Sequence, residues 1–348
     1  MGGRRRHPRR PHAAAVLSSS RQAPTISVVA AAPASNRALT TLMWATAIAA
    51  VITQAGIAVT GSVVRVTGSG LGCPTWPQCF PGSLVPQPHP EVAALHQWIE
   101  FSNRLLTGLV GLVGLACLIV ALLVRPRRRR LILLAAAMPA GVLVQAVLGG
   151  ITVLAGLAWW TVAVHFLVSM GLVWLAVLLV AAVTEGDAPP HWHLPGPLRG
   201  LLFTSTVVLA ALLIAGTLVT SAGPHAGDAA TPRLAVSVAA LAQLHADLLV
   251  GFLGLLAGLG FVLRAMDAPA ATWRRYVMLL CVVLAQGVLG AVQYLTGVPE
   301  ALVSLHVLGA ASVVVAMGAL WTGCRVRGEV PAAVTLGNAR PLAGAGTT

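Results

Sequence analysis

VQAVLGGITVLAGLAWWTVAVH (144–165) and AQGVLGAVQYLTGVPEALVSLH (285–306) align without a gap, and each sets a glutamine, Gln145 or Gln286, 20 residues before a histidine, His165 or His306. Self-similarity at this distance means that one structural unit occurs twice. Working outward, AGIAVT (55–60) matches AGTLVT (215–220), and LLTGLVGL (105–112) matches LLVGFLGL (248–255). Between the copies lies TEGDAPPHWHLPGPL (184–198), a polar, proline-rich break that reads as the boundary.

The chain of 348 residues is 57% hydrophobic and 9% charged, with a mean hydropathy of +0.86, which excludes an ordinary water-soluble domain. Apolar stretches long enough to cross a bilayer run over 39–64, 94–124, 131–154, 158–183, 199–222, 234–263, 275–297 and 301–323. Each copy therefore has four spans and keeps the same orientation. The fold expected is an all-α integral membrane protein, its eight transmembrane helices forming two tandem four-helix bundles related by a pseudo-twofold axis. The divisions are a basic tail (1–37), an N-terminal half (38–183), a linker (184–198), a C-terminal half (199–323) and a second tail (324–348), both tails expected to be disordered.

All 22 basic residues are arginine, and 19 of them fall in the termini and the loops on one side. Arg65 and Arg233 lie in the opposite loops and Arg104 inside a span. The positive-inside rule then puts both termini in the cytoplasm of a multi-pass cell-membrane protein. The formal net charge of +13 is explained by that asymmetry, so the partner it implies is the lipid bilayer and not nucleic acid. MGGRRRHPRR imitates the start of a targeting signal, but no short apolar region with a cleavage site follows.

His165, His245 and His306 lie six to eleven residues into their spans, a shared depth of roughly 10–15 Å. A single intramembrane histidine is often a packed, hydrogen-bonded core group. Three at one depth, two at the same repeat position, favour heme-iron ligation from facing helices. The second half supplies a pair, His245 and His306; the first offers His165, with Asn103 where a partner is expected. His96 lies one heptad above Asn103. Glu100 is either a proton donor or acceptor beside the first-half site or half of a structural pair with Arg104, four residues on. Asp247 either orients His245 or faces another helix.

The first loop carries about 18 residues more than its repeat, and within them CPTWPQC places Cys73 and Cys79 in a short, proline-stiffened turn. The readings are a disulfide or redox-active pair, two free thiols, or a zinc site with His89 and Glu91. Cys117, Cys281 and Cys324 read as apolar packing. CxxCH is absent, so heme attachment of the c type is not expected.

TGSGLGCPTWPQC (67–79), WIEFSNRLLTG (98–108), QAVLGGITVL with His165, HAD from His245, and QGVLGAVQYLTG with His306 together resemble the heme A synthase family, in the bacterial form with a cysteine pair in the first outer loop. The resemblance covers 39–323. It implies an oxidoreductase that converts the C8 methyl of heme O to a formyl group, by successive hydroxylations and loss of water, giving the heme A of terminal oxidases. It also implies heme b on His245 and His306, substrate heme O in the first half at His165 and Asn103, Glu100 as an essential acid, and Cys73 and Cys79 as a reactive pair. Heme O synthase and an electron donor are the implied partners, and a homo-oligomer is compatible with it.

Two departures stand out. The family commonly has histidine at the position of Asn103, and many members carry a second cysteine pair where this chain has SAGPHAGDAATPR (221–233). The alternatives from other classes are a membrane cytochrome b that only transfers electrons and a heme transporter.

Overall fold

A computed structural model describes Gly2 and residues 34–329; the tail expected over 1–37 lies almost wholly outside the described residues, as does 330–348 of the second. The helices are α1 Ala34–Val66, α2 Ala94–Leu123, α3 Arg129–Leu154, α4 Trp159–Thr184, α5 Gly196–Ala222, α6 Val238–Ala265, α7 Ala270–Leu295 and α8 Glu300–Gly323. All eight are long and apolar enough to cross a membrane, as the hydropathy pattern requires. Their ends follow local chemistry. Pro269 and Pro299 stand at the N-caps of α7 and α8, and Ser237 caps α6 by accepting the Ala240 N–H, which starts that helix four residues later than hydropathy alone suggests.

The repeat is also visible in a turn. After α3, Gly156 and Leu157 both take positive φ, and Leu157 N donates to Thr152 O; after α7, Gly297 and Val298 do the same, with Val298 N donating to Gln293 O. This is the same C-terminal cap twice, and in each copy a branched residue accepts a left-handed backbone.

The first four helices close into a ring, each packing on the next and α1 packing back on α4. Small residues allow this approach: Gly114 of α2 abuts the Pro139 backbone of α3, and Gly141 of α3 faces Leu172 of α4. The second four do not close in this way. α5 packs on α6 and α7 on α8, but α6 meets α7 and α5 meets α8 only weakly, which leaves a cleft between the pairs. Its base is sealed near the linker by Leu209, Phe252, Leu256, Leu279 and Met317. The halves join through α1 on α8 and α4 on both α5 and α8, where Ala55 and Ala58 meet Met170, Val173, Ala311 and Val314.

The linker is clamped. Arg128, with its side chain 3% exposed, donates to Ala182 O (2.6 Å) and Val183 O (3.0 Å) at the end of α4, and also to Glu185 O. Arg130 pairs with Glu185 at 2.7 Å. Burial pushes the Arg128 pKa down, and Asp187 opposes that shift. Two-residue strands, β1 His191–Trp192 and β2 Arg325–Val326, pair antiparallel, so the chain just beyond α8 is tied to the linker. Replacing Arg128 with methionine keeps bulk but leaves the carbonyls unpaired. We expect a loss of about 3 kcal/mol, read as a thermal midpoint in detergent lower by several degrees; an unchanged midpoint would mean the clamp is not stabilising.

Candidate functional site

In the second half, a glycine on a neighbouring helix seats each histidine. A Cβ on Gly216 of α5 would lie 3.1 Å from His245 Cε1, and one on Gly290 of α7 would lie 3.0 Å from His306 Cε1. Gln286 Nε2 donates to His306 O at 2.7 Å, which accounts for the 20-residue spacing: the glutamine locks α7 to α8 at the histidine. The two imidazoles face each other in the cleft with ring centroids 6.4 Å apart. Two rings binding one metal from opposite sides, each with a metal–nitrogen bond of about 2.0–2.1 Å, have centres roughly 6 Å apart. Nδ1 of His245 and Nδ1 of His306 are both buried without a hydrogen-bond partner. The donor set and the cleft therefore fit a heme.

The first half retains only part of this arrangement. Gly149 of α3 seats His165, with a Cβ-to-Cε1 distance of 3.4 Å, and Gln145 Nε2 donates to His165 O at 3.1 Å. The glycine matching Gly216 is Gly56, and a Cβ there would meet nothing within 4 Å. By the LLTGLVGL match, the strict counterpart of His245 is Ser102, with Asn103 one residue on. Asn103 turns toward α1, where its Oδ1 accepts from Thr60 Oγ1 at 2.7 Å. His96 is engaged in the first loop: its Nδ1 lies 2.9 Å from Ser69 Oγ, which lies 2.7 Å from Thr67 Oγ1.

Cys73 and Cys79 form a disulfide and are fully buried, which removes the free-thiol and zinc readings. The loop they close is held by α2. Glu100, 5% exposed, accepts the Cys73 N–H at 2.6 Å through Oε2 and pairs with Arg104 Nη2 at 2.6 Å through Oε1. Arg104 also donates to the carbonyls of Cys73, Thr75 and Gln78 at 2.7, 2.9 and 3.2 Å. The loop projects Trp76 against Gly150 of α3, next to the glycine that seats His165. The Glu100–Arg104 pair is thus present, with the carboxylate doubly engaged at the cystine.

Asp247 accepts from Gln243 of its own helix at 2.7 Å and is exposed. Of the remaining cysteines, Cys117 and Cys324 are buried as expected and Cys281 is exposed. Arg65 was legible only as a charge on the minority side. Its Nε donates to His225 O at 2.7 Å and its Nη2 to Thr220 O at 2.8 Å, while Gly70 N donates to Gly227 O at 2.8 Å. These bonds stitch the first loop to the second half. A backbone-directed arginine leaves no pattern in sequence.

Together these features define a multi-pass α-helical membrane protein with a glycine-seated imidazole in each half and one facing pair. Residues 42–318 match the family of cytochrome oxidase assembly proteins (COX15-CtaA), and the chain belongs to that family. It is similar to the heme A synthase of Alkalihalophilus pseudofirmus, 33% identical over 158 residues, 44% of this chain and 51% of that one. It is also similar to the heme A synthases of Staphylococcus haemolyticus, 31% identical over 182 residues (51% of this chain, 58% of that one), and Shouchella clausii, 46% over 68 residues (18% and 21%). The chain spans at most 58% of the length of these relatives.

Proposed function

We propose that the protein is a heme A synthase, an oxidoreductase that converts the C8 methyl of substrate heme O to a formyl group for terminal-oxidase assembly. The observation that carries this reading is the asymmetry between the halves: a facing imidazole pair in one, and in the other a lone His165 with a buried carboxylate, Glu100, on another helix of that half. Family membership and the heme A synthase relatives point the same way. In the second half His245 and His306 would hold heme b, which when bound supplies one-electron transfer. In the first half His165 would anchor heme O from α4, and Asn103 leaves the facing side without a second imidazole. Glu100 would exchange protons at its Oε atoms, while Arg104 and the Cys73 N–H fix where that carboxylate points. The cystine loop would exclude water by covering α2 and α3 through Trp76.

The loop would then lie on the outer face of the cell membrane and the clamped linker in the cytoplasm, a reading that the positive-inside distribution supports. Heme O synthase is the proposed source of substrate, with an electron donor as second partner. A cytochrome that only transfers electrons would be expected to pair ligands in each half, and the first half does not. The test is expression in a host that makes heme O but no heme A, followed by extraction and chromatography of the hemes. Heme A should appear only with the protein; recovery of heme O and heme b alone would overturn the reading.

A further inference from the structure

The cleft that presents His245 and His306 has two unlike ends. Its base near the linker is sealed by Leu209, Phe252, Leu279 and Met317, whereas its mouth lies between the loop after α5 and the turn joining α7 to α8. A heme carries two propionate carboxylates on one edge, and burying them against such a base without a counter-charge is costly. With iron between the imidazoles, that edge faces the mouth.

The loop after α5 reaches from one helix pair to the other, since His225 Nε2 lies 2.9 Å from Val298 O in the α7–α8 turn. Two arginines hold it. Arg65, from the end of α1, donates Nε to His225 O at 2.7 Å and Nη2 to Thr220 O at 2.8 Å. Thr220 stands one turn, about 6 Å, beyond Gly216 on the same face of α5, and Gly216 is the seat of His245. Arg233 donates Nη1 to Gly223 O at 3.1 Å, closing the same helix end. These bonds engage two of the five donors of Arg65 and one of Arg233. Neither arginine has an ion pair among the described residues, and the charge that acts on Arg65 is Arg233, another cation. Asp228, the carboxylate of this loop, accepts the Ala230 N–H instead. The remaining arginine at this end of the helices, Arg104, is taken by Glu100. Two buried polar atoms at the same end also lack partners: Oγ1 of Thr231, which is 6% exposed, and Oε1 of Gln293, three residues beyond the His306 seat Gly290. Neighbouring like charges and orphaned polar atoms are costly unless an anion meets them.

We propose that Arg65 and Arg233 form a carboxylate site at this mouth and bind the propionates of the heme held by His245 and His306, with the Thr231 hydroxyl as a neutral donor beside them. Guanidinium and carboxylate are matched in charge and in planar hydrogen-bonding geometry. Arg65 comes from the first half, so the second-half heme is anchored in part by a residue outside its own four helices. The inference rests on the reading of the imidazole pair as heme ligands. An anionic lipid headgroup has the chemistry to meet the same arginines, and the test separates the two.

The experiment removes the charge from either side of the contact. Full-length protein freed of heme is titrated in detergent with heme b and, separately, with heme b dimethyl ester, whose two propionates are neutral, and the low-spin spectrum reports binding. The wild type should hold heme b on the order of tenfold more tightly than the ester. Arg65→Gln and Arg233→Gln should each weaken heme b on the order of tenfold and leave the ester's affinity unchanged, while Arg233→Lys restores most of the difference. Arg233 is exposed and makes a single carbonyl bond, so its variants test the contact even where Arg65→Gln disturbs the loop. Equal weakening of acid and ester would mark the arginines as loop clamps and overturn the proposal. A wild type that does not distinguish acid from ester overturns it too, and leaves the arginines to lipid headgroups. If heme b gives the wild type no low-spin spectrum, the heme reading of the pair has failed; if it does and both glutamine variants match the wild type, only the propionate site has.

Discussion

Alanine at His245 or at His306 is expected to abolish the low-spin heme spectrum of the protein, while alanine at His165 should leave it in place. The two imidazoles come from α6 and α8 and face each other across the second-half cleft, 6.4 Å between centroids. Two neutral imidazoles give the strong axial field of a low-spin iron, and removal of either leaves one axial ligand. Nearby groups do not offer a replacement. Asp247 is held by Gln243 of its own helix, and among the described residues no group of three or more His, Cys, Asp or Glu could hold a metal ion. The glycine seats reinforce the geometry, because a Cβ at Gly216 or Gly290 would press on the ring that each accommodates. Absorption spectra of the dithionite-reduced variants decide the matter: a full low-spin signal in both alanine variants would show that the pair does not ligate the heme.

The fold was largely legible in the sequence, because in a bilayer every span must satisfy its own backbone and be apolar along its length, and hydropathy reports both. The Gln-to-His spacing showed the repeat, but not its cause, the bond from the glutamine amide to the histidine carbonyl. Other features were not legible. Whether a four-helix unit closes or gapes depends on inter-helix packing, and the two units differ there despite similar sequence, with α2 tight on α3 but α6 barely touching α7. Arg65 and Arg128 act on backbone carbonyls, which every residue has, so composition could assign them only to a side of the membrane. The bond of Asn103 to Thr60 of α1 was not legible either, because a short amide takes whichever hydroxyl the packing brings near.

Glu100→Gln should stop the conversion of heme O while leaving the second-half spectrum unchanged, and the local geometry makes this substitution unusually selective. The carboxylate has two structural engagements, the Cys73 N–H at 2.6 Å and Arg104 at 2.6 Å. A glutamine carbonyl can still accept the Cys73 N–H. Arg104 stays anchored by the carbonyls of Cys73, Thr75 and Gln78, so the cystine loop keeps its place over α2 and α3. What disappears is the negative charge and the ability to exchange a proton at a site that is 5% exposed and walled by the loop. Oxidising a methyl group in such a site moves protons that bulk water cannot supply directly, and removing a positioned acid–base group typically costs 10²–10⁴-fold. We therefore expect turnover to fall by at least about 10²-fold, with heme O accumulating and the disulfide intact by thiol labelling. Arg104→Gln provides the contrast, since it releases three carbonyls and the carboxylate together and should loosen the loop as well as slow conversion. If Glu100→Gln converts heme O at the wild-type rate while Arg104→Gln does not, the carboxylate is a clamp on the cystine loop, and the proton-exchanging group must be another residue of the first half.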